Sequence, residues 1–221
     1  TITNYNHLKS TGNENYGLYV SGKAVNHGNI DFSAGVGNVG IYSYVKGATA
    51  TPELVKNYGD IKVSASDLTD PDNKKYGIGM AAGFTEEVPK NSGNKVVRGL
   101  GNIENHGKIS VTTPDSIGMY ATGTGSKAVN AKDGVIELSG TKKNIGMFIE
   151  EGAVGENYGK IITVGSGNKG QIGVAVMKGS KFINHLGAEI NVVAENGYGL
   201  FYVNGAIIEN YGGINITKKI E

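Results

Sequence analysis

The chain has 221 residues and balances 21 Lys and Arg against 20 Asp and Glu, a formal net charge of +1. That balance offers no electrostatic basis for binding nucleic acid or an anionic membrane. The chain has no cysteine, which excludes disulfides and thiolate metal sites and suits a protein that crosses an oxidising compartment. Its 36 glycines follow no collagen-like period and read as turns.

Taken in order, the chain opens on a repeat-like Thr1-Ile2-Thr3 and then shows one motif seven times. A glycine-centred apolar strand comes first: Tyr16-Gly17-Leu18-Tyr19, Val39-Gly40-Ile41-Tyr42, Tyr76-Gly77-Ile78-Gly79, Ile117-Gly118-Met119-Tyr120, Ile145-Gly146-Met147-Phe148, Ile172-Gly173-Val174-Ala175 and Tyr198-Gly199-Leu200-Phe201. An asparagine then leads into a glycine turn at Asn26, Asn57, Asn105, Asn130, Asn157, Asn184 and Asn210. A third strand follows, as in Ile109-Ser110-Val111 and Ile136-Glu137-Leu138. The glycines of consecutive units lie 28, 27 and 26 residues apart from Gly118 through Gly146 and Gly173 to Gly199, 23 from Gly17 to Gly40, and 37 and 41 on either side of Gly77. Self-similarity at this period is the mark of a stacked solenoid.

Within the opening strand, positions −1, +1 and +3 from the glycine are apolar (Ile145, Met147 and Ile149; Ile172, Val174 and Val176), so the reading places all three on one face. Ser43 is the polar exception. The residue two before each asparagine is apolar or small and the one just before it is often charged, which turns the asparagine inward. Three short strands and three turns per unit form a rung of a parallel β-helix, right-handed by the crossover rule for parallel strands. Seven rungs of about 4.8 Å make a rod of about 35 Å. Inward asparagines stacked in register are expected to form an amide ladder. The four prolines, Pro52, Pro71, Pro89 and Pro114, all fall outside the assigned strands. No stretch approaches the length of a membrane-spanning helix. There is no secretory signal or initiating Met, and neither end reads as a polar capping unit, so a segment of a longer rod is expected.

The repeats IGMYATGTGSKAVN, IGMFIEEGAVGENYGKIITV and YGLFYVNGAIIENYGGINI resemble the passenger repeats of large fusobacterial autotransporter adhesins, which are type V secreted proteins. The resemblance covers the chain apart from its insertions. It implies a surface-exposed β-helical stalk at the outer membrane, exported through a β-barrel. It also implies a role in virulence through attachment to other bacteria or host cells. No ligand-contact motif transfers with it.

Three insertions interrupt the period, at about 47–55, 65–75 and 84–100. They arise from neighbouring coils and are expected to form one side lobe. In solenoids such excursions often carry the binding face, although they also fit tolerated surface loops. Glu86, Glu87, Lys90, Asn91, Lys95 and Arg98 are the candidate ligand contacts. The outward column before each asparagine contains Glu104, Glu156 and Glu209 on alternate coils, about 10 Å apart, wider than paired-carboxylate glycosidases use. His27, His106 and His185 share their repeat position with Tyr58, Tyr158 and Tyr211, which marks a packing or stacking role. Asp67, Asp70 and Asp72 share a proline turn without the spacing of a calcium loop.

No catalytic residue, cofactor or metal is therefore assigned. The expectation is a monomeric, all-β, non-catalytic adhesive segment spanning residues 1–221 whose partner is a host-cell or bacterial surface glycan or protein. A purely structural stalk and a polysaccharide-degrading β-helix enzyme are its rivals.

Overall fold

The computed structural model describes residues 1–217. They form an all-β, right-handed parallel β-helix of three long sheets. The opening strands Tyr16–Val20, Val39–Ser43, Ile78–Ala82, Ile117–Thr122, Ile145–Glu150, Ile172–Val176 and Tyr198–Tyr202 stack into a seven-stranded sheet. The asparagine strands, from Ile2–Asn4 to Ile207–Asn210, form an eight-stranded sheet, and the third strands, from Leu8–Lys9 to Gly213–Thr217, form another. Ile2–Asn4 and Leu8–Lys9 thus add a partial rung ahead of the seven read from the sequence.

The asparagines stand in register down one sheet, each amide reaching its counterpart on the next coil. Nδ2–Oδ1 distances run from 2.7 Å (Asn4 to Asn26) to 3.1 Å (Asn105 to Asn130), and the ladder ends with Asn184 donating to Asn210 at 2.9 Å. The same Nδ2 groups of Asn26, Asn57, Asn105 and Asn130 also donate to the glycine carbonyl of their own turn. From Asn26 to Asn184 the side chains are 0% exposed, so each amide exchanges water for two fixed partners. Asn210, on the last described rung of its sheet, is solvent-exposed.

Two expectations about the opening strand are corrected. The central core cluster contains positions +1 and +3 (Ile41, Met80, Met119, Met147 and Val174; Val20, Ala82, Ala121, Ile149 and Val176), but not position −1, although Val39, Ile117 and Ile172 are themselves buried. The inter-coil register pairs Ile117 with Ile145 and Met119 with Met147 and passes over the glycines between them. A Cβ on Gly146 would lie 2.5 Å from the Gly173 carbonyl oxygen and 2.6 Å from Ile161 Cγ2. Lacking a Cβ, the glycine turns inward beside its +1 neighbour, breaks the two-residue alternation and leaves position −1 outside that cluster.

In coil three the register pairs Ile78 with Val39 and Ile117, so the repeat glycine is Gly79, not Gly77. Gly40 to Gly79 and Gly79 to Gly118 are then both 39 residues. A two-residue slip preserves which face each side chain takes, so hydrophobic alternation does not expose it.

Corners are capped by polar side chains. Ser43, the polar exception, accepts from the Asn102 backbone N–H at 3.1 Å, as Ser126 and Ser180 accept from Gly101 and Gly152. At another corner Asn38 and Asn144 accept from the backbones of Asn15 and Ser116. Inside, Phe182 occupies volume that Gly155 leaves open, since a Cβ there would meet Phe182 at 3.2 Å. The histidine and tyrosine column stacks as expected: Tyr5, His27, Tyr58 and His106 follow at 5.1, 5.1 and 4.6 Å between ring centroids, and Tyr158 lies on His185 at 3.7 Å.

Candidate functional site

The longest insertion is not an irregular loop. Phe84–Glu87 and Lys95–Leu100 form an antiparallel hairpin, and Lys95–Leu100 pairs on its other side with Val45–Lys46 at the root of the first insertion. The second insertion is closed by an antiparallel bridge between Asp67 and Lys75. Asn91 Nδ2 near the hairpin tip donates to Asp72 Oδ1 at 2.6 Å, tying the second insertion to the third.

Between these excursions the outer face of the opening-strand sheet carries a groove of about 590 Å³. Position +2 is aromatic in most coils: Tyr19, Tyr42, Tyr120, Phe148 and Phe201. In coil three it is Ala81, paired in register with Tyr42 on one side and Tyr120 on the other. This missing ring opens the groove. Val39, Ile78 and Ile117, the position −1 residues outside the central core cluster, line it. Tyr76 and Phe84, 38% and 44% exposed, also line it.

The polar lining comes in ion pairs. Lys95 reaches from the hairpin to Glu150 in coil five at 2.6 Å, with Glu151 at 3.7 Å. Lys75 pairs with Glu14 at 3.0 Å. The Tyr120 hydroxyl donates to Glu150, and burial, reinforced by that carboxylate, pushes the phenol well above its ordinary range. Burial works against the Lys95 ammonium, but the Glu150 hydrogen bond and charge outweigh it and hold Lys95 above its usual value. Burial and Glu150 also raise Tyr76. Glu150 therefore anchors the floor and the hairpin together.

Of the six candidate contacts, only Lys95 lines this groove. Arg98 Nε bonds Glu86 at 2.8 Å across the hairpin. Glu87 accepts from the backbones of Asn91 and Gly93 and shapes the turn. Lys90 is exposed beside the tip and Asn91 joins the two insertions. The groove residues Tyr42, Tyr76, Ala81, Tyr120 and Glu150 were not among the candidates. Alanine in place of an aromatic ring at position +2, which occurs at Ala81 and again at Ala175, was the signal for them.

The other polar groups have structural partners. Glu104 pairs with Lys56 and His106, Glu156 with Lys127 and His185, and Glu209 with Lys181. Asp67 accepts from the Thr69 backbone and hydroxyl, and Asp70 from the Asp72 backbone. No cluster of three or more His, Cys, Asp or Glu suited to a metal ion occurs among the described residues.

Burial tends to raise Glu104 and Glu156, but hydrogen bonds from Lys56 and His106, and from Lys127, Tyr158 and His185, overcome it and hold both below the ordinary glutamate value. A depressed folded value means stability that is complete above the unfolded value and is lost as pH falls through the folded one. Glu104→Gln and Glu156→Gln should each lower stability at neutral pH by roughly 1 kcal/mol or less and flatten the acid limb between about pH 5 and 3. Thermal melts across that range check it, and an unchanged acid limb in the double variant contradicts it.

Residues 32–139, a little under half of the chain, match the family model described as the BigA third pectate lyase-like domain. That stretch includes all three insertions and Ala81. No curated protein and no solved structure matches the chain.

Proposed function

We propose that this chain is a segment of a surface-exposed, autotransported bacterial adhesin and that it attaches, without catalysis, to a glycan or protein on host cells or other bacteria. The observation that carries this reading is the convergence of the second and third insertions, tied to each other and to coil five, over one groove on an otherwise regular rod. Further support comes from the passenger-like repeats. The match of residues 32–139 to a BigA domain, an adhesin-type β-helix, also supports a cell-surface location. The rod serves as a stiff spacer, and the lobe serves as the contact surface. Glu86 pairs with Arg98 in the lobe, and Glu104, Glu150 and Glu156 on the rod pair with lysine, an arrangement suited to holding shape.

Replacing residues 84–100 with a short glycine turn tests the reading. The intact chain, displayed on beads, should bind epithelial cells or partner bacteria, and the shortened chain, folded by circular dichroism, should lose at least tenfold of that attachment. Equal attachment by both places the contact outside the lobe. No attachment by either makes the segment a spacer, and turnover of an acidic polysaccharide by the intact chain would replace the adhesive reading with an enzymatic one.

A further inference from the structure

We infer that the groove takes an extended segment of a partner protein, which adds to the free edge of the strand Phe84–Glu87 as a further strand of the lobe's sheet. This rests on the adhesive reading above and narrows its partner to a polypeptide.

The first argument is an unpaired strand edge. The lobe's sheet runs in the order Phe84–Glu87, Lys95–Leu100, Val45–Lys46, so Phe84–Glu87 has a neighbour on one side only. The Val88 N–H donates to the Asn94 carbonyl at 2.9 Å. Bonded and non-bonded pairs alternate along an antiparallel ladder. Glu87 opposite Lys95 is therefore a non-bonded pair, Glu86 opposite Val96 a bonded one, and Thr85 opposite Val97 non-bonded again. The backbone N–H and C=O groups of Thr85 and Glu87 thus point away from the hairpin. Among the described residues no other backbone segment bonds them. Two donor–acceptor sets about 7 Å apart, the repeat of every second residue in a strand, match the backbone of another extended chain.

The second argument is position. Phe84 and Thr85 line the groove together with Asn73, Lys74, Lys75 and Tyr76 of the second insertion. The two insertions are tied near the hairpin tip, where Asn91 donates to Asp72 at 2.6 Å. No backbone hydrogen bond joins 73–76 to 84–87 among the described residues. The segments are thus held near each other without pairing, and the edge stays open to a third chain.

The third argument is alternation. Thr85, Lys95 and Val97 share the hairpin face turned to the rod. The Thr85 hydroxyl meets that of Thr122 at 2.9 Å, Lys95 reaches Glu150, and a Cβ on Gly123 would lie 2.9 Å from Val97. Glu86 and Arg98 pair with each other on the opposite, exposed face. An added strand follows the same two-residue alternation. Every second side chain then enters the groove, where Tyr76, Ile78, Tyr120 and Phe148 give apolar lining, and the rest meet solvent. Main-chain bonds supply affinity and the groove selects alternate side chains.

The test selects binders to the whole chain from a phage-displayed library of random linear peptides and resynthesises them. Selected peptides should alternate apolar and polar residues and should slow hydrogen exchange at the Thr85 and Glu87 amides. N-methylation of every second residue should weaken binding at least tenfold in one register and stay within threefold in the other, because only one edge of the added strand faces the chain. Thr85→Pro, which removes an edge N–H, should lose at least tenfold, and Thr85→Val, which keeps it, should stay within threefold. Should Thr85→Pro fail to fold, the methylated peptides decide. Equal effects of the two methylation registers overturn the inference, as does a library that yields no binder. A dimer of the whole chain that Thr85→Pro dissociates gives the edge to a second copy and also overturns it. Cell attachment that needs residues 84–100 but survives protease treatment of the target cells overturns it and leaves the adhesive reading standing. Peptide binding without cell attachment upholds the peptide site and defeats the adhesive reading.

Discussion

Asn105→Ala should destabilise the rod by about 2–5 kcal/mol, while the same change at Asn210 should cost under about 1 kcal/mol. Asn105 lies in the middle of the ladder and is 0% exposed. Its Oδ1 accepts from Asn57 at 2.9 Å, and its Nδ2 donates to Asn130 at 3.1 Å and to the Gly107 carbonyl at 2.9 Å. Truncation leaves the Asn57 amide with one partner fewer and the Asn130 oxygen with none from this side, both in a place water does not reach. Leaving a buried polar group unmet costs about 1–3 kcal/mol, whereas an intact neutral hydrogen bond contributes only about 1 kcal/mol net. The loss should therefore exceed the sum of the bonds removed. Asn210 is exposed, and water replaces what its truncation removes. Urea unfolding followed by far-UV circular dichroism measures both. Equal shifts in midpoint would show that the ladder confers no more than surface turns do.

Gly146→Ala should cost about 3 kcal/mol or more, at the upper end of overpacking effects. The added carbon would sit 2.5 Å from a backbone oxygen on the next coil and 2.6 Å from Ile161 of the third strand. Neither neighbour is the loose end of a flexible side chain. Both belong to laddered strands that carry the register, so relief requires separating coils five and six. Gly165→Ala is the matched control. Its φ is +75° but nothing lies within 4 Å of its added carbon, so only the backbone penalty of about 1 kcal/mol remains. Similar losses at the two positions would mean that close approach is not the reason for the repeat glycine.

Much of this architecture was legible because it repeats. Asparagine followed by a glycine turn, seven times over, identifies the inward amide column without any knowledge of the fold. Where the sequence reading failed, one residue type was responsible. Glycine at the centre of the opening strand lets two adjacent residues face inward, and no count of alternating side chains reveals that. The same glycines set the alignment of coil three. With Gly77 as origin, position +2 is Gly79; with Gly79 as origin it is Ala81, and the gap in the aromatic column becomes visible. Asn4 escaped notice because Asn6 stands where other coils place a glycine. The Lys95–Glu150 pair joins residues 55 positions apart across two coils, a proximity that only the fold creates.

The equal 39-residue lengths on either side of Gly79 have a consequence for how such a chain can change over generations. Excursions leave the rod at corners, and the ladder resumes in the same register on the far side. The rod thus acts as a ruler indifferent to what hangs between its marks. Substitution, lengthening or exchange of the hairpin leaves the amide and glycine columns intact. Lobe and scaffold are therefore free to diversify at separate rates. A lineage can rewrite the lobe while the supporting coils remain nearly unchanged.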